Sequence, residues 1–197
     1  SLCSRGNTDK GAQMSNVFFG GSRKLGRLNP AIRTRLRNLI TNKHTVLIGD
    51  ANGVDKAVQT FFAEDGYRNV IVYCMDAECR NNVGGWQLKC VNSGGKKKDF
   101  SYYAMKDAQM SLDADYGFMI WDGESKGTLN NVLNLVQQGK SALVYHSPSR
   151  EFIQIKTTAD VLSLIESCPA DVVEYFNRKI KLEKRVASST QAALSFL

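Results

Sequence analysis

Short, continuous apolar runs alternate along this chain with segments whose apolar residues recur every three or four positions. The runs at 16–19 (NVFF), 45–48 (TVLI), 69–73 (NVIVY), 116–121 (YGFMIW) and 141–145 (SALVY) each read as a strand. Helices are predicted between them. One spans 30–40, with Ile32, Leu36, Leu39 and Ile40 on one face, Asn29 as N-cap and Pro30 in the first turn. A second spans 54–64, with Val54, Ala57, Val58, Phe61 and Phe62 inward. A third spans 101–112, and a fourth spans 128–138, stopped by Gly139. A strand at 152–155 and helices at 159–166 and 169–185 follow. Strands that are apolar throughout must be covered on both faces. The pattern therefore predicts an α/β fold, a Rossmann-like three-layer sandwich with a mainly parallel central sheet flanked by helices.

The long segment at 76–99 breaks this rhythm. It is polar and Gly-rich, it holds Arg80, Asn81, Asn82 and Trp86, and it is read as a loop. It is a candidate lid, with Trp86 stacking on a base and Arg80 meeting a phosphate. Residues 1–13 are polar without periodicity and read as a tag or disordered tail, with Met14 as the natural start. The expected organisation is one Rossmann-like domain over 14–150 with a strand and helix extension, 151–197, packed on it.

Composition narrows the class. No stretch approaches the roughly 20 apolar residues a membrane helix needs, and no apolar signal segment opens the chain, so a soluble cytoplasmic protein is expected. Five cysteines, Cys3, Cys74, Cys79, Cys90 and Cys168, match no zinc spacing; no metal and no cofactor is expected. The net charge of +7 raises nucleic acid as a partner. The excess lies largely in 96–98 and along 178–185, outside any recognisable nucleic-acid module, so this partner is not favoured. A homo-oligomer is the default expectation.

In open α/β sheets, ligands bind beyond the C-terminal strand ends where strand order reverses. The commonest order puts that point between the first and fourth of the runs above. The turn after the first is Gly20-Gly21-Ser22-Arg23: two glycines let the backbone approach a ligand, Ser22 offers a hydroxyl, and Arg23 can fork onto phosphate. The turn after the fourth is Asp122-Gly123-Glu124-Ser125-Lys126-Gly127-Thr128, running straight into a helix whose free N–H groups and dipole suit phosphate. The turn after the second is Gly49-Asp50-Ala51-Asn52-Gly53, where Asp50 and Asn52 are placed to read a sugar or base. Asp55 follows in the first helical turn, where the dipole alone explains a carboxylate. No Walker motif and no G-x-G-x-x-G are present, which disfavours an NTPase or an ordinary NAD enzyme.

These turns, in this order, resemble the SLOG superfamily, the Rossmann-like group that includes the LOG ("lonely guy") proteins and the DprA-like and YspA-like domains. Gly49 to Asp55 is similar to its G-x-A-x-G-x-D element. Ser125 to Thr128 is similar to its phosphate-binding S-x-G-T element, which nucleoside deoxyribosyltransferases share. The resemblance covers about 17–145 and implies binding of nucleotides or nucleotide-derived signals, with N-glycosidic hydrolysis or transfer in some members. LOG-type enzymes carry P-G-G-x-G-T-x-x-E, whose glutamate is needed for chemistry; Asn131 stands at that place here. An amide is neither nucleophile nor general base. The leading expectation is binding or sensing of a phosphate-bearing, nucleotide-type small molecule. The alternative is an N-glycosidic enzyme with Asp122 or Glu124 as its working carboxylate. A nucleic-acid-binding protein ranks third.

Overall fold

The structure is a computed structural model and describes residues 13–194. The tail expected over 1–13 thus lies almost wholly outside the described residues, as do the last three residues of the expected C-terminal extension. The elements are β1 (Asn16–Gly21), α1 (Pro30–Thr41), β2 (Thr45–Gly49), α2 (Val54–Glu64), β3 (Val70–Met75), β4 (Gln87–Val91), α3 (Phe100–Asp113), β5 (Tyr116–Trp121), α4 (Lys126–Gln137), β6 (Ala142–His146), β7 (Glu151–Ile155), α5 (Thr158–Ile165) and α6 (Ala170–Leu194).

The seven strands form one sheet in the order β4-β3-β2-β1-β5-β6-β7, parallel except for β7, which runs antiparallel to β6. The chain moves outward from β1 through β2 and β3 to β4, then returns to β5 on the other side of β1. The reversal of strand order therefore falls between β1 and β5, as expected from the commonest order.

Two apolar layers cover the sheet. On one face Ile32, Leu36 and Leu39 of α1 and Val58, Phe61 and Phe62 of α2 pack on Val17, Phe19, Val46 and Ile48. On the other, α3 through α6 pack on Phe18, Leu47, Met119 and Trp121. Alternating residues of β1 and β2 thus serve opposite layers, which is why those strands are apolar throughout. Asn29 caps α1 as expected, its Oδ1 accepting from the Ile32 N–H at 2.9 Å, and Pro30 opens the helix.

One strand lies inside the segment expected to be a loop. β4 pairs in parallel with β3, but nearly all its residues are exposed and its sequence, QLKCV, shows no apolar run. A solvated edge strand is held by main-chain hydrogen bonds and leaves little trace in hydropathy. Trp86, expected as a stacking lid, is buried just before it, its Nε1–H donating to the Tyr67 carbonyl at 2.8 Å. At the far end α6 continues to Leu194, beyond the helix predicted at 169–185.

Candidate functional site

A cleft of about 810 Å³ opens over the C-terminal ends of β1 and β5, walled by α3 on one side and α4 on the other. Its rim includes Gly20, Gly21, Ser22 and Arg23 from the first turn and Asp122, Glu124, Ser125, Gly127 and Thr128 from the turn after β5. The expected ligand-facing residues of these two turns are thereby brought together, except Gly123, which turns toward His146 and Pro148.

The turn after β5 is built around Asp122. Its carboxylate accepts from the Ser22 hydroxyl at 2.6 Å and from the N–H groups of Glu124 and Ser125 at 3.1 and 2.8 Å. Burial opposes its ionisation. The Ser22 hydroxyl and these N–H groups outweigh burial and hold the acid below its ordinary pKa. A carboxylate so fully engaged is a brace between the two turns and is poorly suited to take a proton. Glu124 is exposed and pairs with Lys24 at 3.5 Å. Ser125 caps α4, its Oγ accepting from the Thr128 N–H at 3.4 Å and from the Thr128 hydroxyl at 3.1 Å. Among the described residues no partner is recorded for the N–H groups of Lys126 and Gly127 at the start of α4, beside Arg23 and Lys24 at the cleft rim. Arg23 lies over the Tyr103 ring at 5.1 Å, with Arg80 over the same ring at 4.7 Å.

The turn after β2 behaves differently from expectation. Gly49 and Ala51 line the cleft, but Asp50, Asn52 and Gly53 do not. Asp50 is buried and clamped by Arg80, whose Nη2–H and Nε–H donate to it at 2.7 and 3.1 Å and whose backbone N–H adds a third bond at 3.0 Å. Burial again opposes ionisation, and Arg80 with Lys106 overcomes it, so the Asp50 pKa is lowered. Arg80, expected to meet a phosphate, is thus committed to Asp50. Asn52 is held by Asn81 at 3.1 Å, and Gly53 sits against the Arg23 backbone.

The groups that do face the cleft floor are Asp55, Lys106 and Asp107. Lys106 is 4% exposed and sits 3.2 Å from Asp107 and 3.7 Å from Asp50. Burial would strip its proton, but the three surrounding carboxylates reverse this and raise its pKa. Asp55 accepts one N–H, from Ala51 at 3.2 Å. Burial pushes its acid up to about 6, against the pull of Lys106 and with the help of Asp107. Gly49 makes room for this cluster: a Cβ there would lie 2.6 Å from Asp55 Oδ2 and 2.8 Å from Lys106 Nζ. A signal for Lys106 existed in the sequence. Tyr102, Lys106 and Met110 recur every four residues, and all three are buried on the inner stripe of α3.

α4 supplies the other wall. Asn130 is bonded to the Tyr175 hydroxyl at 3.2 Å and to Lys179 Nζ at 2.5 Å, tying α6 to the core. Asn131, at the place of the LOG-type glutamate, is buried and lines the cleft beside Gly20.

Asp50, Cys74 and Cys79 bring potential ligand atoms within 4.8 Å of one another. The Asp50 oxygens are already taken by Arg80, and burial pushes the Cys74 thiol up, away from the thiolate that a metal requires. Among the described residues no helix is long and apolar enough to cross a membrane.

No protein-family model matches the chain, and no curated protein matches it. Among solved structures it is similar to DNA processing protein A from Helicobacter pylori, described for its single-stranded DNA binding mode. The TM-score is 0.55 at 14% identity, over 89% of this chain and 85% of that one. The likeness is one of fold, and at that level it agrees with the resemblance of the turns to DprA-like domains.

Proposed function

We propose that this protein binds or senses a phosphate-bearing, nucleotide-derived small molecule in the cleft between α3 and α4. The observation that carries the reading is the meeting of the β1 turn and the α4 N-terminus across the point of strand reversal. The N–H groups of Lys126 and Gly127, with Arg23 and Lys24, offer an anion both dipole and charge. Gly20 keeps the rim free of a side chain beside Asn131, where the backbone meets a ligand. N-glycosidic turnover ranks second, because Asp122 is a hydrogen-bonded brace, Glu124 is an exposed ion-pair partner and position 131 is an amide.

A thermal-shift screen against nucleotides, nucleoside monophosphates and ADP-ribose variants tests the reading, because a ligand of the folded state raises the melting temperature by mass action. Chromatography of each mixture then separates binding from turnover: a ligand recovered intact supports sensing, and free base plus sugar phosphate supports the enzyme. Arg23→Ala is expected to abolish the shift. The absence of any shift would defeat the proposal.

A nucleic-acid reading stands third. Between Asn16 and His44 the chain carries seven Lys and Arg and no acidic residue. On α1, Arg33 lies over Phe61 and Arg35 over Phe152, both on the sheet face opposite the cleft wall. The solved neighbour binds single-stranded DNA. Affinity for a single-stranded oligonucleotide that falls steeply with salt would support this competitor. A homo-oligomer is proposed for the free protein and is checked by light scattering.

A further inference from the structure

The cleft changes character with depth. Its mouth carries Arg23, Lys24, Lys98 and Lys126, and beside the charged floor cluster of Asp55, Lys106 and Asp107 its lining between α3 and α4 also offers an apolar patch and an uncharged polar wall. The bare strand end at Gly20, with Phe18 and Met110 packed beside it, supplies the apolar patch. Asn131 and Asn134, one helical turn apart on α4, supply the wall.

Asn131 is the telling residue. It is 7% exposed, it faces the cleft, and its amide makes no hydrogen bond to any described residue. Its Nδ2 lies 3.6 Å from the position a Cβ would take on Gly20, so the missing side chain of that glycine keeps the amide open to the cleft. Asn130 beside it shows what the alternative looks like, with both amide atoms partnered. Among the described residues Trp121 Nε1 is the fully buried side-chain atom without a partner, so the Asn131 amide is open to the cleft and free to bond what enters it. An amide offers one acceptor and two donors with no net charge, which suits a neutral ring edge better than a phosphate. From the first N–H of α4 to Asn134 is roughly 12 Å along the helix at 1.5 Å per residue.

We propose that Asn131, with Asn134 beyond it, recognises the hydrogen-bonding edge of a nucleobase whose ring lies against the apolar patch at Gly20, beside Phe18 and Met110. The inference rests on the phosphate reading above: the phosphate sits at the α4 N-terminus and the base lies deeper along the same helix.

The test is a binding ladder by calorimetry on the full chain. Its steps are inorganic phosphate, ribose 5-phosphate, and the 5′-monophosphates of adenosine, guanosine, cytidine and uridine. The wild type is expected to bind at least one monophosphate about tenfold or more tighter than ribose 5-phosphate. Asn131→Leu is expected to remove that preference and leave phosphate and ribose 5-phosphate binding unchanged. Asn134→Ala is expected to weaken it in part. The ligand-free Asn131→Leu protein is expected to melt no lower than the wild type, because the amide bonds no described residue and does not brace the fold. Four outcomes would overturn the inference. A ladder flat beyond ribose 5-phosphate leaves the phosphate reading standing and removes the base. Full base preference in Asn131→Leu removes the residue. A lowered melting temperature together with loss of ribose 5-phosphate binding makes Asn131 a structural residue. No binding anywhere on the wild-type ladder defeats the phosphate reading itself, and the base reading with it.

Discussion

Two turns at the same rim of the sheet each withdraw a carboxylate from water, and they stabilise it in opposite ways. After β5, Asp122 is wrapped by the N–H groups of the two residues that follow its glycine and by the Ser22 hydroxyl, and its acid is held low. After β2, Asp55 receives one N–H and otherwise relies on Lys106, which arrives from α3, some fifty positions along the chain. Its acid is pushed up to about 6. Local hydrogen bonds make Asp122 insensitive to its surroundings. Dependence on one distant cation makes Asp55 responsive to pH and to whatever enters the cleft. A carboxylate near the functional rim is therefore not by that fact a working group; its solvation decides.

The largest break in this comparison is Lys106→Met. It leaves Asp50, Asp55 and Asp107 without their shared cation, and removing one partner of a buried ionic cluster costs roughly 3–5 kcal/mol. Urea unfolding at pH 7 is expected to show a loss of that order, and at pH 5 a smaller one, because Asp55 is then mostly protonated. Equal losses at both pH values would show that Asp55 takes no part in the cluster.

Asp55→Asn sharpens the same point. Burial pushes the folded acid up to about 6, from an ordinary aspartate value of 3.8. Below both values the group is protonated in both states and contributes nothing to the pH dependence. Across the window the unfolded chain releases its proton first, so Asp55 lowers wild-type stability as pH rises, by at most about 3 kcal/mol. Asparagine does not titrate. The stability of Asp55→Asn relative to wild type is therefore expected to rise from about pH 4 to 6 and then level off. A flat difference would mean that Asp55 ionises as freely as in the unfolded chain.

How well the sequence could be read differs between the same two turns. The alternation of apolar runs and periodic helices leads directly to the sheet, to the strand reversal beside β1 and to Asn29 as a cap, because each is written in residues close in sequence. The rim formed by Ser22, Arg23, Ser125, Gly127 and Thr128 was legible for the same reason. The β2 turn was not. Asp50 and Asn52 look like ligand-reading residues until Arg80 and Asn81 arrive from beyond β3 and occupy them. Asp55 looks like a dipole partner until burial and the charge of nearby Lys106 come to govern it. β4 escaped notice because an exposed edge strand needs no apolar side chains.

Gly53→Ala tests the backbone side of the β2 turn. The residue sits at φ 79° and ψ −127°, a region open in practice to glycine, and an added Cβ would strike the Arg23 backbone. A loss of roughly 2–3 kcal/mol is expected in thermal or urea unfolding. Because the Arg23 backbone must shift to admit the methyl group, any ligand shift that depends on Arg23 is expected to weaken as well.

The smallest effect belongs to the well-insulated turn. Ser22 is buried, donates to Asp122 at 2.6 Å and accepts from the Lys24 N–H at 3.2 Å. Ser22→Ala removes one of three bonds to the carboxylate, and a loss of about 1 kcal/mol is expected at pH 7. The sign of its pH dependence opposes that of Asp55. Asp122 is depressed in the folded protein, so its hydrogen bonds contribute stability above the unfolded pKa and lose it as pH falls through the folded value. The difference between Ser22→Ala and wild type is accordingly expected to be largest at neutral pH and to shrink toward strongly acid pH. Urea unfolding of the two proteins across that range checks it. A difference that grew on acidification would mean that the Ser22 hydroxyl serves the Lys24 backbone more than the Asp122 carboxylate, and the two turns would then be less unlike than their geometry indicates.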